Sequence, residues 1–154
     1  MKTLIIYHTK YGTTQQYAQW LCEDLKDADL FSMKERSQIN LNHYQQIVIG
    51  SPVYMGRISL SSFLVGQWMK LKAKKVYLFA VGNMPADSSE SIQSFNILPE
   101  EIREGLQMYL KLPGKVDFSR LNFFDRLILK RMGAKNEDNT DRKLLKPLIG
   151  SLFK

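Results

Sequence analysis

Residues Thr3 to Lys26 read TLIIYHTKYGTTQQYAQWLCEDLK, and the change of period inside this stretch decides the fold. Thr3–Tyr7 is a short apolar run rich in β-formers, the pattern of a strand buried on both faces. From Thr13 onward the apolar positions Tyr17, Ala18, Leu21, Cys22 and Leu25 recur at helical spacing, so a helix over Thr13–Lys26 lays one face on a sheet. Between the two, Thr9-Lys10-Tyr11-Gly12-Thr13-Thr14 gathers hydrogen-bonding side chains at a strand-to-helix seam.

The same alternation continues along the chain. Asp29–Met33 is a shorter, more polar strand suited to an edge, and Gln46–Ser51 is a second fully apolar one. Ile58–Leu71 reads as a helix with Leu60, Phe63, Leu64, Trp68 and Leu71 on one stripe, weakened at Gly66. Lys75–Gly82 is a third apolar strand, and Ser91–Gly105 holds a helix interrupted near Pro99. Leu106–Leu112 alternates, with Leu106, Met108, Leu110 and Leu112 facing one way as in a half-exposed edge strand. After a loop at Pro113–Asp117, Ser119–Met132 is amphipathic with a basic outer face. Lys135–Arg142 is loop-like, and Lys143–Lys154 closes the chain as a short helix whose start Pro147 limits.

Strand–helix alternation implies right-handed crossovers and a parallel sheet with helices on both faces. With the three most apolar strands central, the expectation is one α/β domain over residues 1–154, a doubly wound five-stranded parallel sheet in the order 2-1-3-4-5. Ligands of such sheets bind beyond the carboxyl ends of the strands, where the winding reverses. That directs attention to Thr9–Thr13, Ser51–Ser59 and Asn83–Ser89.

Composition bounds the rest. The chain has 154 residues, 44% apolar and 24% charged, ordinary for a globular domain. No apolar window reaches the ~18 residues of a membrane span, and the apolar stretch near the N-terminus is too short for a signal-peptide core, so a cytoplasmic protein is expected. The single cysteine, Cys22, allows no internal disulfide and falls on a helical stripe as a buried thiol. Only His8 and His43 are present, and no cluster has metal-ligand spacing. The net charge of +7 favours anionic contacts. With no basic–aromatic interleaving or reader motif, nucleic acid is excluded as the expected partner, leaving an acidic protein or an anionic membrane surface.

In the first loop, a helix starting near Thr13 leaves backbone N–H groups free for an anion such as phosphate, helped by the hydroxyls of Thr9, Thr13 and Thr14 and by the tight turn Gly12 permits. The alternative is a capping box over Thr13–Gln16 that needs no ligand. Neither a GxGxxG nor a GxxxxGK[ST] pattern occurs. In the second loop, Ser51, Pro52, Val53, Tyr54, Met55 and Gly56 offer an apolar wall for a flat ring, or else Tyr54 and Met55 cover the core beneath. In the third, Gly82, Asn83 and Met84 add polar and apolar contacts. Three such loops at one crevice meet the demands of a phosphorylated, planar aromatic ligand. His8 and Asp87 lie near it by topology, in structural roles.

These residues resemble flavodoxin-like proteins, whose phosphate loop runs Ser/Thr-x-Thr-Gly-x-Thr. Thr9, Gly12 and Thr14 fit that pattern, whereas Tyr11 departs from it. The resemblance implies FMN as cofactor, with phosphate contacts leaning on backbone N–H groups and Lys10 adding charge. It places Tyr54 and Met55 against the isoalloxazine and Asn83 at its polar edge. It covers Met1 to about Ser89. The later stretch, with Phe124-Asp125-Arg126 and Thr140–Lys143, is similar to the small flavodoxin-domain branch that includes menaquinone-dependent protoporphyrinogen oxidase. An FMN electron carrier or small oxidoreductase is thus expected, working with a redox partner protein, or alternatively a quinone-linked enzyme. Familiar electron-carrying flavodoxins are acidic; this chain is basic, so its partner surface is acidic or is a membrane. Ser119–Met132 either lies peripherally on an anionic membrane or packs its apolar face on the sheet.

Overall fold

A computed structural model describes residues 2–154. Five parallel strands, β1 (Thr3–Tyr7), β2 (Ala28–Ser32), β3 (Gln46–Tyr54), β4 (Lys75–Gly82) and β5 (Met108–Pro113), form the sheet in the spatial order β2-β1-β3-β4-β5. The expected doubly wound order is therefore the observed one. Among the described residues there are six α-helices, α1 (Thr13–Leu25), α2 (Ser61–Leu71), α3 (Ser89–Asn96), α4 (Glu100–Gly105), α5 (Phe123–Arg131) and α6 (Lys146–Leu152). None is long and apolar enough to cross a membrane.

Alternation along each central strand divides the core into two layers. Leu4, Ile6, Ile47, Ile49 and Leu78 face α2 and α4 through Leu64, Trp68, Leu71 and Ile102. Ile5, Val48 and Phe79 face the other way, onto Tyr17 and Leu21 of α1 and Leu148 of α6. Gly50 packs closely on the second layer: a Cβ there would stand 2.3 Å from the Phe79 ring. Tyr17 ties α1 to the far edge, its hydroxyl donating to the Pro113 carbonyl at 2.7 Å.

Several boundaries differ from expectation for local reasons. β3 does not stop at Ser51 but runs to Tyr54 and turns back as a hairpin with Arg57–Ile58. Met55 and Gly56 both have positive φ, 52° and 75°, the backbone of a two-residue type I′ turn. Ile58 is thereby a strand residue, and α2 begins only at Ser61, after Ser51 Oγ has accepted the Leu60 N–H at 3.0 Å. At the other edge, Leu106 precedes β5 and joins the first layer, while Tyr109 covers the face expected to be open by stacking on Phe95 at 4.2 Å. The loops at Pro113–Asp117 and Lys135–Arg142 pair as a small ribbon, Lys115–Val116 with Glu137–Asp138.

Helix α5 starts later than expected because Asn122 caps it, its Oδ1 accepting the Asp125 N–H at 2.8 Å. Asp125 in the first turn and Lys130 and Arg131 in the last complement the helix dipole. Among the described residues, no member of α5 belongs to either core layer, so of the two alternatives for Ser119–Met132 the packing of its apolar face on the sheet is not the one observed.

Candidate functional site

The carboxyl ends of β1, β3 and β4 open into a crevice of about 550 Å³, within the range of cofactor pockets. Its first wall is the β1–α1 seam, where His8, Thr9, Lys10, Tyr11, Thr13 and Thr14 line it. Gly12 stands just behind them as the N-cap of α1, with φ 93° and ψ −8° in the left-handed region that glycine tolerates. Among the described residues no side chain caps this helix: Thr13 is already inside it, so the capping box over Thr13–Gln16 does not form. Thr9 Oγ1 takes the Gly12 N–H at 2.9 Å and tightens the loop. Among the described residues the N–H groups of Thr13, Thr14 and Gln15 have no acceptor, the first such bond being Gln16 N–H to the Gly12 carbonyl. A 13-residue helix thus presents its donors and positive dipole end, unpaired, beside the crevice.

The second wall is the hairpin, with Pro52, Val53, Tyr54, Met55 and Gly56 lining the crevice. Met55 is exposed and Tyr54 partly so, and neither is used by the core. Ser51, expected to contact the ligand, lies fully buried and off the crevice, its hydroxyl occupied by Leu60 and Pro52. The third wall is Gly82, Asn83 and Met84. Thirteen of the fifteen residues singled out from the sequence therefore line one cavity, the exceptions being Gly12 and Ser51. Asp87 does not line it, and His8 does, with its N–H bonded to the Gly50 carbonyl at 3.0 Å.

Sequence reading gave no role in the crevice to Leu121, Ile128, Leu129 and Met132, by which the α5 segment turns an apolar side to it, nor to two charged residues withdrawn from solvent, Asp125 and Lys111. Asp125 reaches the crevice from α5 although only 4% exposed. Its carboxylate accepts from the hydroxyl of Tyr11, from the hydroxyl of Tyr54 at 2.6 Å, and from Lys10 Nζ at 2.8 Å. Burial alone would raise its carboxyl, yet those donors and the lysine's charge hold it below the usual carboxylate range. The same contacts raise Lys10 against the opposing effect of burial. Lys10 Nζ also sits 3.7 Å from the centroid of the Tyr54 ring, a cation–π contact. The signal in the sequence was an acid in the first turn of an otherwise basic helix, which reads equally well as dipole complementation.

The other is Lys111, at the carboxyl end of β5. Burial pulls its amine down to about 8. Nζ donates to the carbonyls of Gly82 at 3.1 Å and Met84 at 2.6 Å, pinning the third loop to the edge strand. Strand parity signalled it, since Lys111 must face away from Leu110 and Leu112. Cys22, expected as a buried thiol, is only half-buried; burial raises its thiol, which donates to the Ala28 carbonyl at 3.6 Å.

A family model described as a flavodoxin domain matches residues 4–143. No curated protein matches the sequence. Among solved structures, the Trp repressor binding protein from Bacillus subtilis is 16% identical with a TM-score of 0.54, over 90% of this chain and all of that one. A cysteine-to-serine mutant of a flavodoxin from Pseudomonas aeruginosa is 15% identical with a TM-score of 0.55 over the whole of both chains. A flavoprotein in complex with FMN from Lactobacillus acidophilus is 21% identical with a TM-score of 0.52, over 71% of this chain and 92% of that one. At these identities the likeness is one of fold.

Proposed function

From the premise that the chain belongs to the flavodoxin-domain family, we propose that it binds FMN in the crevice and works as a redox flavoprotein, either an electron carrier or a small oxidoreductase. The observation that carries the proposal is the uncapped N-terminus of α1 opening onto an apolar-walled cavity of about 550 Å³. Bound FMN supplies the one- and two-electron chemistry. The chain's own residues do the holding. The N–H groups that open α1 and the hydroxyls of Thr9, Thr13 and Thr14 receive the phosphate. Tyr54 and Met55 on one side and Met84 on the other exclude water from the ring, and Asn83 meets its polar edge. Lys111 keeps the Gly82–Met84 loop in place by its two carbonyl contacts. The visible spectrum of the protein, as purified and after incubation with FMN and removal of excess, tests this. Flavin bands retained near one per chain are expected, and a colourless protein that takes up no FMN overturns it.

A second reading is favoured by the surface of α5. Phe123 is 80% exposed and Phe124 59%, with Leu127 beside them and Arg120, Lys130 and Arg131 exposed around them. An apolar face rimmed by cations suits the interface of an anionic bilayer, where a quinone is available as electron acceptor. In this reading the protein is a quinone-linked oxidoreductase, resembling protoporphyrinogen oxidation, at the membrane surface. Co-sedimentation with anionic vesicles that falls with salt and is lost in Phe123→Ser/Phe124→Ser, together with oxidation of reduced holoprotein by a menaquinone analogue, is the expected result. Absence of anionic-vesicle binding at any salt removes this reading and leaves the carrier.

A further inference from the structure

We propose that Asp125 is a charge-neutralising positioning residue of the cofactor crevice: it occupies Lys10, so that the anionic end of the ligand meets the backbone N–H groups of α1 and not a free lysine. The proposal rests on the FMN reading above and adds to it which charges the ligand encounters.

A lysine inside a phosphate loop would ordinarily be its point-charge partner. Here its ammonium is already committed. It lies 2.8 Å from the buried Asp125 carboxylate and 3.7 Å from the Tyr54 ring centroid, between an anion and a π-face. The pair is charge-balanced, and separating it would strand a carboxylate that is only 4% exposed. A stranded buried charge is strongly disfavoured, whereas the intact pair with its two tyrosine donors leaves the carboxylate well satisfied. The tyrosines come from opposite walls, Tyr11 from the β1–α1 seam and Tyr54 from the hairpin, and Asp125 from α5 closes the triangle. Asp125 in turn is fixed by the Asn122 cap on its own N–H, and the Asn122 N–H points to the Tyr11 hydroxyl at 3.3 Å. The ring of Tyr54 is therefore held by its hydroxyl at one end and by the ammonium over one face. That fixes the orientation in which its remaining surface meets a planar ligand. Of the other cations in this region, Arg126 donates to the Leu121 carbonyl at 3.2 Å and Lys111 to those of Gly82 and Met84, Lys115 lines the crevice, and the Arg120 guanidinium lies beside the phosphate loop, 3.7 Å from where a Cβ on Gly12 would stand.

The test is FMN titration of the apoprotein across a salt series for wild type, Lys10→Met, Asp125→Asn and the double variant. Exposed charges are screened over about 10 Å at 0.1 M salt, so a newly freed Lys10 makes affinity salt-sensitive. Asp125→Asn should lose about threefold more affinity than wild type between low and high salt. The double variant, with neither charge, should return to the wild-type salt dependence. If Asp125→Asn does not fold, the double variant still decides, because it strands no charge. Were Lys10 the phosphate's partner instead, the double variant would follow Lys10→Met, with a shallower salt dependence than wild type. Either that result or an unchanged slope in Asp125→Asn overturns the proposal. A wild type that binds no FMN at all overturns the functional reading itself, which separates the two failures.

Discussion

Replacing Gly12 with alanine probes the phosphate loop at the one position whose backbone the fold demands. Gly12 sits at φ 93° and ψ −8°, between the loop and the first turn of α1. A methyl group there has room, its nearest neighbour being the Arg120 guanidinium at 3.7 Å, so the perturbation acts through the backbone alone. Holding an alanine in the left-handed region costs about 1–2 kcal/mol. If the loop keeps its conformation, the apoprotein loses that stability and FMN affinity changes little. If the loop relaxes to negative φ, the N–H groups of Thr13 and Thr14 swing out of register, and FMN binding weakens by roughly 5- to 30-fold. Denaturant unfolding of the apoprotein and FMN fluorescence titration together capture both routes. The two losses should sum to about 1–2 kcal/mol. Gly66→Ala in α2, with open space around it and a helical backbone, is the control and should stabilise by up to about 1 kcal/mol. Wild-type values for both quantities in Gly12→Ala would show that this backbone conformation carries neither stability nor FMN binding.

Other substitutions separate scaffold from site. Gly50→Ala drives a Cβ to 2.3 Å from the fully buried Phe79 ring and should destabilise by about 1–3 kcal/mol in denaturant unfolding; a loss below about 0.5 kcal/mol would show that the layer repacks freely. Tyr54→Ala removes the ring wall and should weaken FMN about 5- to 150-fold by titration, while Tyr54→Phe keeps the ring and most of the affinity. Lys111 titrates at about 8 in the folded protein and at about 10.4 when unfolded. Between those values the unfolded state holds the extra proton, so stability rises with pH there; below about 8 the cost of burying the ammonium is borne in full. Lys111→Met should remove that rise, a difference of about 1–3 kcal/mol between pH 8 and 10 in paired unfolding curves. Parallel curves for the two proteins would contradict the assignment.

The sheet was legible because three strands are apolar on both faces and two are not, and that contrast orders them without any ligand argument. The phosphate loop was only half legible. The residues between Thr9 and Thr14 fitted a capping box as well as an anion cradle, and the choice turned on one residue of helix register: with Gly12 as N-cap, no side chain is available to cap. The hairpin at Met55–Gly56 was hidden for a related reason. A Met-Gly pair is not a strong turn signal, yet its positive φ values extend β3 and carry Tyr54 to the crevice. Asp125 was visible only as an acid in a basic helix, and its role in the crevice could not be read from the chain. Its partners Tyr11 and Tyr54 are 114 and 71 residues away, with Lys10 next to Tyr11, and only the tertiary fold brings them together. The placement of α5 was ambiguous in sequence because an amphipathic helix reads the same whether it covers a sheet or faces outward; in the structure Phe123, Phe124 and Leu127 are exposed while Ile128 and Leu129 line the crevice.

The central claim is that one crevice recognises both a flat ring and a phosphate. Parallel titrations of the apoprotein with FMN and with riboflavin, which has the same ring and no phosphate, test it most directly. One FMN per chain is expected, with riboflavin bound at least about tenfold more weakly, the difference a single well-made anion contact at a helix N-terminus makes. Equal affinity for the two flavins, or binding of neither, would contradict it.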